Sequence, residues 1–275
     1  MANIILPVNF SREIRRALIS FMKQMVQHDS SSHFTLLHAY DISGYGTAML
    51  RDMTEVLEKN AYQDLEHEKE EMLKEVPNAS IATYVGRGLL PNVVNSYEED
   101  NRVDFMVVAL KGSNMLQSLL SSNKPSQLAQ SSNVPMLFLP DADNVKLPTA
   151  IAFGTDLKPF QNVEDFKSLL NMAKILDAKL HFVYVNETGE SKKSAFESHY
   201  VEHLQDVGYD FVEIENKNAA KGMMDFIKEN NLDGIGLIER KSGFLQRLFS
   251  ESMLNQMLGL AKLPIMVINE LREAE

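Results

Sequence analysis

One loop in this chain has the composition and the position of a phosphate-binding loop. The stretch KGSNMLQSLLSS, residues 111–122, directly follows VDFMVVAL, an apolar run that is typical of a buried strand. A glycine at such a place lets backbone N–H groups approach phosphate oxygens, and the N-terminus of a following helix adds a partial positive charge. The same residues also fit a plain strand-to-helix turn, in which Gly112 takes an unusual backbone angle and a serine or Asn123 caps the helix.

A second stretch has the residue types of a zinc site. HYVEH, residues 199–203, fits the pattern H-x-x-E-H, in which histidines four positions apart lie on one face of a helix and could bind Zn²⁺. A five-residue pattern is unspecific, and the sequence identifies no partner carboxylate. A solvent-facing helix explains the stretch better, so we expect no metal site and no catalytic residue. A metal-dependent hydrolase built on His199 and His203 remains an alternative, as does a slow ATPase.

The elements that must position these residues occur twice in the chain. IILPVNFS near the N-terminus returns as AIAFGTDLKPF from Ala150, so that Asn9 and Asp156 hold the same place. VDFMVVAL returns as LDGIGLIE, and NVPMLFLP returns as KLPIMVIN. The step from the aspartate of the first run to the proline of the second is 31 residues in both copies (135 − 104 and 264 − 233). Equal spacing without a gap indicates a duplication.

Each repeat alternates apolar strands with helices. The predicted strands are IILPV, HFTLLHAY, SIATYV, VDFMVVAL and VPMLFL in the first repeat, and AIAFGT, LHFVYV, DFVEIE, DGIGLI and PIMVIN in the second. Strands that are apolar on both faces and alternate with helices predict an α/β fold of two doubly wound units, each a five-stranded parallel sheet flanked by helices. The predicted domains are residues 1–142 and 149–275, joined by a linker at 143–148.

Two segments of the first repeat have a clear helical pattern. Apolar residues recur at helical spacing after Ser11, which is a suitable N-cap with Glu13 in the first turn. MTEVLEKNAYQDLEHEKEEMLKEV, residues 53–76, predicts a long acidic helix between the second and third strands. The corresponding helix of the second repeat must be much shorter, because fewer residues separate its strands.

Composition narrows the classes of partner. The 275 residues include 38 Asp and Glu against 27 Lys and Arg, and the net charge of −11 argues against nucleic acid or an anionic membrane as the main partner. The absence of cysteine excludes disulfides and thiolate metal sites and fits a reducing cytoplasm. The apolar run near the N-terminus is short and has no basic region ahead of it, so we expect neither a signal peptide nor a membrane span. We predict a soluble cytoplasmic protein.

The doubled pattern resembles a tandem universal stress protein, and the resemblance covers nearly the whole chain. Both repeats open with I-x-x-x-x-[DN]-[FL] and close with D-x and four hydrophobic residues, a loop, a helix, and x-P with four hydrophobic residues. The resemblance implies that the final strands, VPMLFL and PIMVIN, pair the two domains. It also implies what nucleotide binding would need: G-x2-G-x9-G-[ST] after the fourth strand and an Asp in the turn after the first.

Measured against that family pattern, both loops are degenerate. The loop positions of the first repeat fall on Ala109, Gly112, Ser122 and Asn123, so one glycine of three remains. Those of the second repeat fall on Ile238, Lys241, Glu251 and Ser252, and Glu251 would bring a negative charge to the place of the phosphates. Gly86 stands where relatives often have a glycine near the sugar, or it only turns the chain. The weak candidates for nucleotide contact are Asn9, Gly86, Gly112, Ser122, Asn123, Asp156 and Ser252.

The resemblance, with these departures, implies a function without catalysis. We expect a non-catalytic cytoplasmic stress-response regulator that acts through protein contacts, and we expect no cofactor. The alternative is a switch in which the first domain binds ATP or AMP. The expected interactions are the pairing of the two domains, a homodimer to which the long acidic helix contributes, and an unknown protein partner.

Overall fold

The computed structural model describes residues 1–40, 50–110, 128, 131–139, 145–160, 162–186, 191–204, 206–240 and 263–270. The chain divides into two compact units, one of Met1–Val134 with Leu139–Lys146 and one of Pro135–Phe138 with Leu147–Glu275. The predicted bounds assign residues 135–138 to the first domain, whereas by contact these residues belong to the second unit, and the predicted linker at 143–148 is divided between the two units. Four candidate residues lie outside the described ranges: Gly112, Ser122, Asn123 and Ser252.

The first unit is built on a parallel sheet. Its elements are β1 (Asn3–Pro7), α1 (Arg12–His28), β2 (His33–Tyr40), α2 (Leu50–Glu75), β3 (Ser80–Arg87), α3 (Leu90–Asp100) and β4 (Phe105–Ala109). The strands lie in the order β3-β2-β1-β4. Because all of their pairings are parallel, their carboxyl ends meet at one edge, which is the usual place for a ligand in this topology.

The second unit has the same plan and one additional strand. Its elements are β5 (Met136–Leu139), β6 (Ala150–Gly154), α4 (Val163–Ile175), β7 (Lys179–Asn186), α5 (Lys193–His199), β8 (Tyr209–Glu215), α6 (Ala219–Glu229), β9 (Gly234–Arg240) and β10 (Ile265–Glu270). The strands lie in the order β5-β10-β9-β6-β7-β8. All ten predicted strands are therefore present, and the predicted α/β fold is confirmed.

The predicted pairing of the last strands is also confirmed. β10 runs antiparallel to β5, with Ile265 opposite Phe138 and Val267 opposite Met136. All four residues of β5 are buried. This pairing is the reason that residues 135–138, which end the first repeat in sequence, belong to the second unit by contact.

Two equivalent aspartates make the same hydrogen bonds in the two repeats. Asp104 accepts a hydrogen bond from the Asn3 N–H at 2.8 Å, and its own N–H donates to the Asn3 carbonyl at 2.9 Å. Asp233 makes the same pair with Ala150, at 2.7 Å and 3.0 Å. Each carboxylate thus satisfies backbone groups where the first and fourth strands of its repeat begin. An aspartate at this place sets the register between those two strands.

The helices follow the apolar pattern of the sequence. Ser11 is the N-cap of α1, and its Oγ accepts from the Ile14 N–H at 3.4 Å. The buried face of α1 consists of Ile14, Ala17, Leu18, Phe21, Met22 and Met25. The long helix predicted at residues 53–76 is α2, which has 26 residues, begins at Leu50 and buries Ala61, Leu65 and Met72. No helix in the described ranges is long and apolar enough to cross a lipid bilayer.

Candidate functional site

The turn after β1 places Asn9 at the carboxyl edge of the first sheet. Its Oδ1 accepts a hydrogen bond from the Ser11 N–H at 3.1 Å, so the side chain closes a turn over its own backbone. Phe10 has a φ of 61°, a left-handed conformation that bulky residues rarely adopt. The side chain of Asn9 therefore has a structural role, because it shapes the turn from which α1 begins.

The turn after β6 has the same geometry around Asp156. The Asp156 Oδ1 accepts from the Lys158 N–H at 3.2 Å, and Leu157 has a φ of 59°. The carboxylate is turned into the protein, since only 2% of its side chain is exposed and its Oδ2 lies 3.6 Å from the Lys158 Nζ. A nucleotide would have to displace these contacts to reach Asp156.

A buried tyrosine supports the Asp156 turn from inside. Tyr200 is fully buried, and its hydroxyl donates to the Lys158 carbonyl at 3.0 Å. The same hydroxyl oxygen lies 2.9 Å from the Thr155 Oγ1. His199 adds a further bond, because its Nδ1 lies 2.9 Å from the Leu157 carbonyl, which can only accept. Residues 199 and 200 therefore bind the backbone of the turn that carries Asp156.

Aromatic rings hold Tyr200 in this position. The Tyr200 ring stacks on Phe196 with centroids 5.3 Å apart and meets the edge of Phe166 at 5.5 Å. Phe196 in turn stacks on Phe211 of β8 at 4.3 Å, and Phe160 stacks on Phe166 at 4.3 Å. Rings at these distances add favourable contacts beyond their buried area. The tyrosine hydroxyl is consequently fixed against the turn.

The H-x-x-E-H stretch does not form the single helix that the zinc hypothesis needs. α5 ends at His199, and Val201–His203 form a separate 3₁₀ turn. Because the helix ends between them, His199 and His203 do not share a helical face. The His203 Nε2 lies 3.0 Å from the Glu202 Oε1. Among the residues that the structure describes, no three His, Cys, Asp or Glu side chains group as metal ligands would.

The carboxyl edge of the first sheet carries aromatic and charged side chains. His38 binds the Val8 carbonyl through its Nδ1 at 3.0 Å, and its ring lies 4.6 Å from the ring of Phe10. Tyr40, at the end of β2, is paired in register with Arg87 at the end of β3. Burial, and then the negative charge of Glu58 on α2, raises the pKa of Tyr40. The long helix α2 thus reaches this edge through Glu58.

Gly86 has a packing role in β3. A Cβ at this position would lie 2.2 Å from the Cγ1 of Val93 on α3, so a side chain has no room. The residue that turns the chain is Gly88, which has a φ of 126° and donates its N–H to the Tyr40 carbonyl at 2.8 Å. Pro91 lies in the first turn of α3, as the sequence predicted. The close approach of α3 to β3 is sufficient to explain Gly86.

The described candidates fall at two separate places. Asn9 and Gly86 lie at the carboxyl edge of the first sheet with β2 between them, and Asp156 lies at the corresponding edge in the second unit. Sequence reasoning did not identify Tyr200. Its only signal is the four-residue spacing of Phe196, Tyr200 and Leu204, all of which are buried.

Comparison with known proteins adds evidence that the sequence alone does not give. The model of the universal stress protein family matches residues 1–140, which is half of the chain. A universal stress protein from Archaeoglobus fulgidus DSM 4304 has a similar structure, with a TM-score of 0.64 at 13% sequence identity over 97% of this chain and 96% of that chain. A protein of unknown function from Pseudomonas aeruginosa PAO1 gives a TM-score of 0.55 at 11% identity, over 98% and 92% of the two chains. No curated protein matches.

The structural likenesses, at identities of 13% and 11%, show a shared fold and nothing further. The family match is more specific, because it rests on the sequence and covers both the turn at Asn9 and the whole of the first predicted loop. This chain belongs to the universal stress protein family.

Proposed function

We propose that this chain is a non-catalytic, cytoplasmic stress-response regulator that acts through protein contacts and whose nucleotide-binding loops have degenerated. The observation that carries the proposal is the burial of the Asp156 carboxylate. Its carboxylate, which the second repeat keeps where the first repeat has Asn9, is 2% exposed and lies against Lys158. A carboxylate that holds its own turn is poorly placed to recognise a ligand.

The loop sequences support the same conclusion. In the second repeat the loop positions are Ile238, Lys241, Glu251 and Ser252, so the glycines that would admit phosphate oxygens are replaced by side chains. Glu251 also repels an anion. In the first repeat Gly112 remains, and the turn carboxylate is replaced by the neutral Asn9.

A second candidate function is a nucleotide switch confined to the first unit. The observation in its favour is the carboxyl edge around Asn9, where the ring of His38 packs against Phe10 and Arg87 ends the neighbouring strand. An aromatic ring and a cation at one edge are the groups that a base and a phosphate need. This candidate binds ATP or AMP and needs no catalytic residue.

Calorimetric titration of Mg²⁺–ATP, and then of AMP, into nucleotide-stripped full-length protein separates the two candidates. We expect no saturable heat up to about millimolar ligand, a level at which binding is worth only about 4 kcal/mol. The matched variants are Gly112→Glu and Lys241→Glu, which place the same charge at the same loop position of the two repeats. Micromolar binding that Gly112→Glu abolishes and Lys241→Glu preserves would overturn the proposal in favour of the switch.

The enzyme alternative has its own readouts. Phosphate release from Mg²⁺–ATP is expected at the background rate. Elemental analysis is expected to find less than one zinc per chain, because the helix ends at His199 and the two histidines of the pattern do not share a helical face. Stoichiometric zinc that is lost in His203→Ala would contradict the non-catalytic assignment.

A further inference from the structure

A groove of about 690 Å³ lies between α1 and α2 of the first unit. Five basic side chains line it: Arg12, Arg15, Arg16, Lys23 and Lys74. We propose that this groove is the docking site for an acidic segment of a partner protein. The proposal rests on the proposed function, since it names the surface and the class of partner through which a non-catalytic regulator acts.

The sign of the charge is the first argument. The whole chain has a net charge of −11, with 38 acidic and 27 basic residues. The groove has the opposite balance, because its five basic side chains face four carboxylates: Glu13, Glu71 and Glu75 of the lining, and Glu68, which binds Arg15. A local excess of cations on an acidic protein attracts and orients an anionic partner.

The spacing along α1 is the second argument. Arg12, Arg16, Ile19 and Lys23 recur at intervals of four, three and four, so they form one stripe beside the buried face of the helix. The 11 steps along the helix from Arg12 to Lys23 span about 16 Å at a rise of 1.5 Å per residue. An extended peptide covers that distance with about five residues. The stripe therefore matches a short extended segment in length.

Ion pairs hold the two walls of the groove together. Arg15 binds Glu68 through two hydrogen bonds, one of them 2.8 Å from Nε to Oε1, and Glu68 is 2% exposed. Lys23 and Glu75 form a pair at 2.7 Å, in which both side chains are about half exposed. The buried bond to Arg15 fixes the geometry of the groove. The exposed pair of Lys23 and Glu75 contributes little free energy, because such pairs are weak. Lys23 can therefore bind a carboxylate of a partner in place of Glu75.

The lining favours a peptide over a nucleic acid. The three glutamates interrupt the row of cations that a continuous phosphate backbone needs. Ile19 and the aliphatic stems of the arginines and lysines form an apolar strip, which suits a segment that alternates acidic and apolar side chains.

The test uses the full chain and a fluorescein-labelled hexapeptide of four glutamates and two leucines, followed by fluorescence anisotropy. We expect saturable binding at low salt that weakens at least about threefold at high salt. R12E/R16E should weaken it at least about tenfold, and K74E should weaken it from the opposite wall. The control K167E/K221E changes the same number of charges on α4 and α6 and should leave binding within about twofold.

Three results would overturn the proposal: R12E/R16E binds like the wild type, a peptide with lysine in place of glutamate binds equally, or only inorganic tripolyphosphate binds. The thermal midpoint of each variant is measured alongside, so that K74E still tests the groove if R12E/R16E does not fold. Failure of the proposed function is distinguishable, because it would appear as ATP binding that Gly112→Glu abolishes, whatever the hexapeptide does.

Discussion

The hydroxyl of Tyr200 has two hydrogen bonds and no exposed surface. It donates to the Lys158 carbonyl at 3.0 Å and lies 2.9 Å from the Thr155 Oγ1. Burying a hydroxyl without hydrogen-bond partners costs about 1–3 kcal/mol of folding free energy, so these two hydrogen bonds fix the position of the Tyr200 ring. The same hydrogen bonds hold the turn that contains Asp156.

Tyr200→Phe is expected to lower the free energy of unfolding by about 1–2 kcal/mol, because it removes the hydroxyl and leaves the Lys158 carbonyl and Thr155 without that partner. Urea denaturation of the full chain measures the change. Tyr62→Phe is the matched control, since Tyr62 is 42% exposed and the same deletion there should change little. Equal losses in the two variants would contradict the role assigned to the Tyr200 hydroxyl.

At the scale of elements, a buried ion pair joins the two helices that form the groove. Arg15 on α1 binds Glu68 on α2, and the hydrogen bond to Glu68 is the main reason that the pKa of Arg15 is raised. Glu68 interrupts the apolar stripe of Ala61, Leu65 and Met72 on α2. A carboxylate at this place is stable only while its partner is present.

Arg15→Met is expected to destabilise the chain by about 2–4 kcal/mol, because it leaves the Glu68 carboxylate buried without its main partner. The double variant Arg15→Met/Glu68→Met should lose less than the single one, since both charges are then removed together. Denaturation midpoints of the three proteins give the comparison. A double variant that is less stable than Arg15→Met would show that the pair itself supplies the stability.

At the scale of the whole molecule, the homodimer stays a prediction. α2 exposes Val56 by 56% and Tyr62 by 42%, two large apolar side chains on the helix that sequence reasoning assigned to association. Light scattering is expected to give twice the mass of the chain, and Val56→Asp should shift the equilibrium toward the monomer, because it places a charge in an apolar contact. A monomeric wild type at about 100 µM would rule out all but very weak association.

The sequence by itself determined the repeat and the ten strands, and its resemblance to a known family implied the pairing of their last members. Apolar runs at strand spacing and the equal steps from Asp104 to Pro135 and from Asp233 to Pro264 are local patterns, and local patterns suffice for a parallel α/β plan. Ser11 as the cap of α1 was predictable for the same reason, since its partner Ile14 is three residues away.

Only the tertiary structure decided what the candidate residues contact. Val93 on α3 explains why residue 86 is a glycine. The side chain of Asp156 is buried in a turn that Tyr200 supports. Arg15 binds Glu68, which lies 53 residues further along the chain. Residue type gives the chemistry that a side chain can do. Packing between distant segments decides whether the side chain is available for that chemistry. Polar groups that are buried and hydrogen-bonded within the protein cannot bind a ligand at the same time.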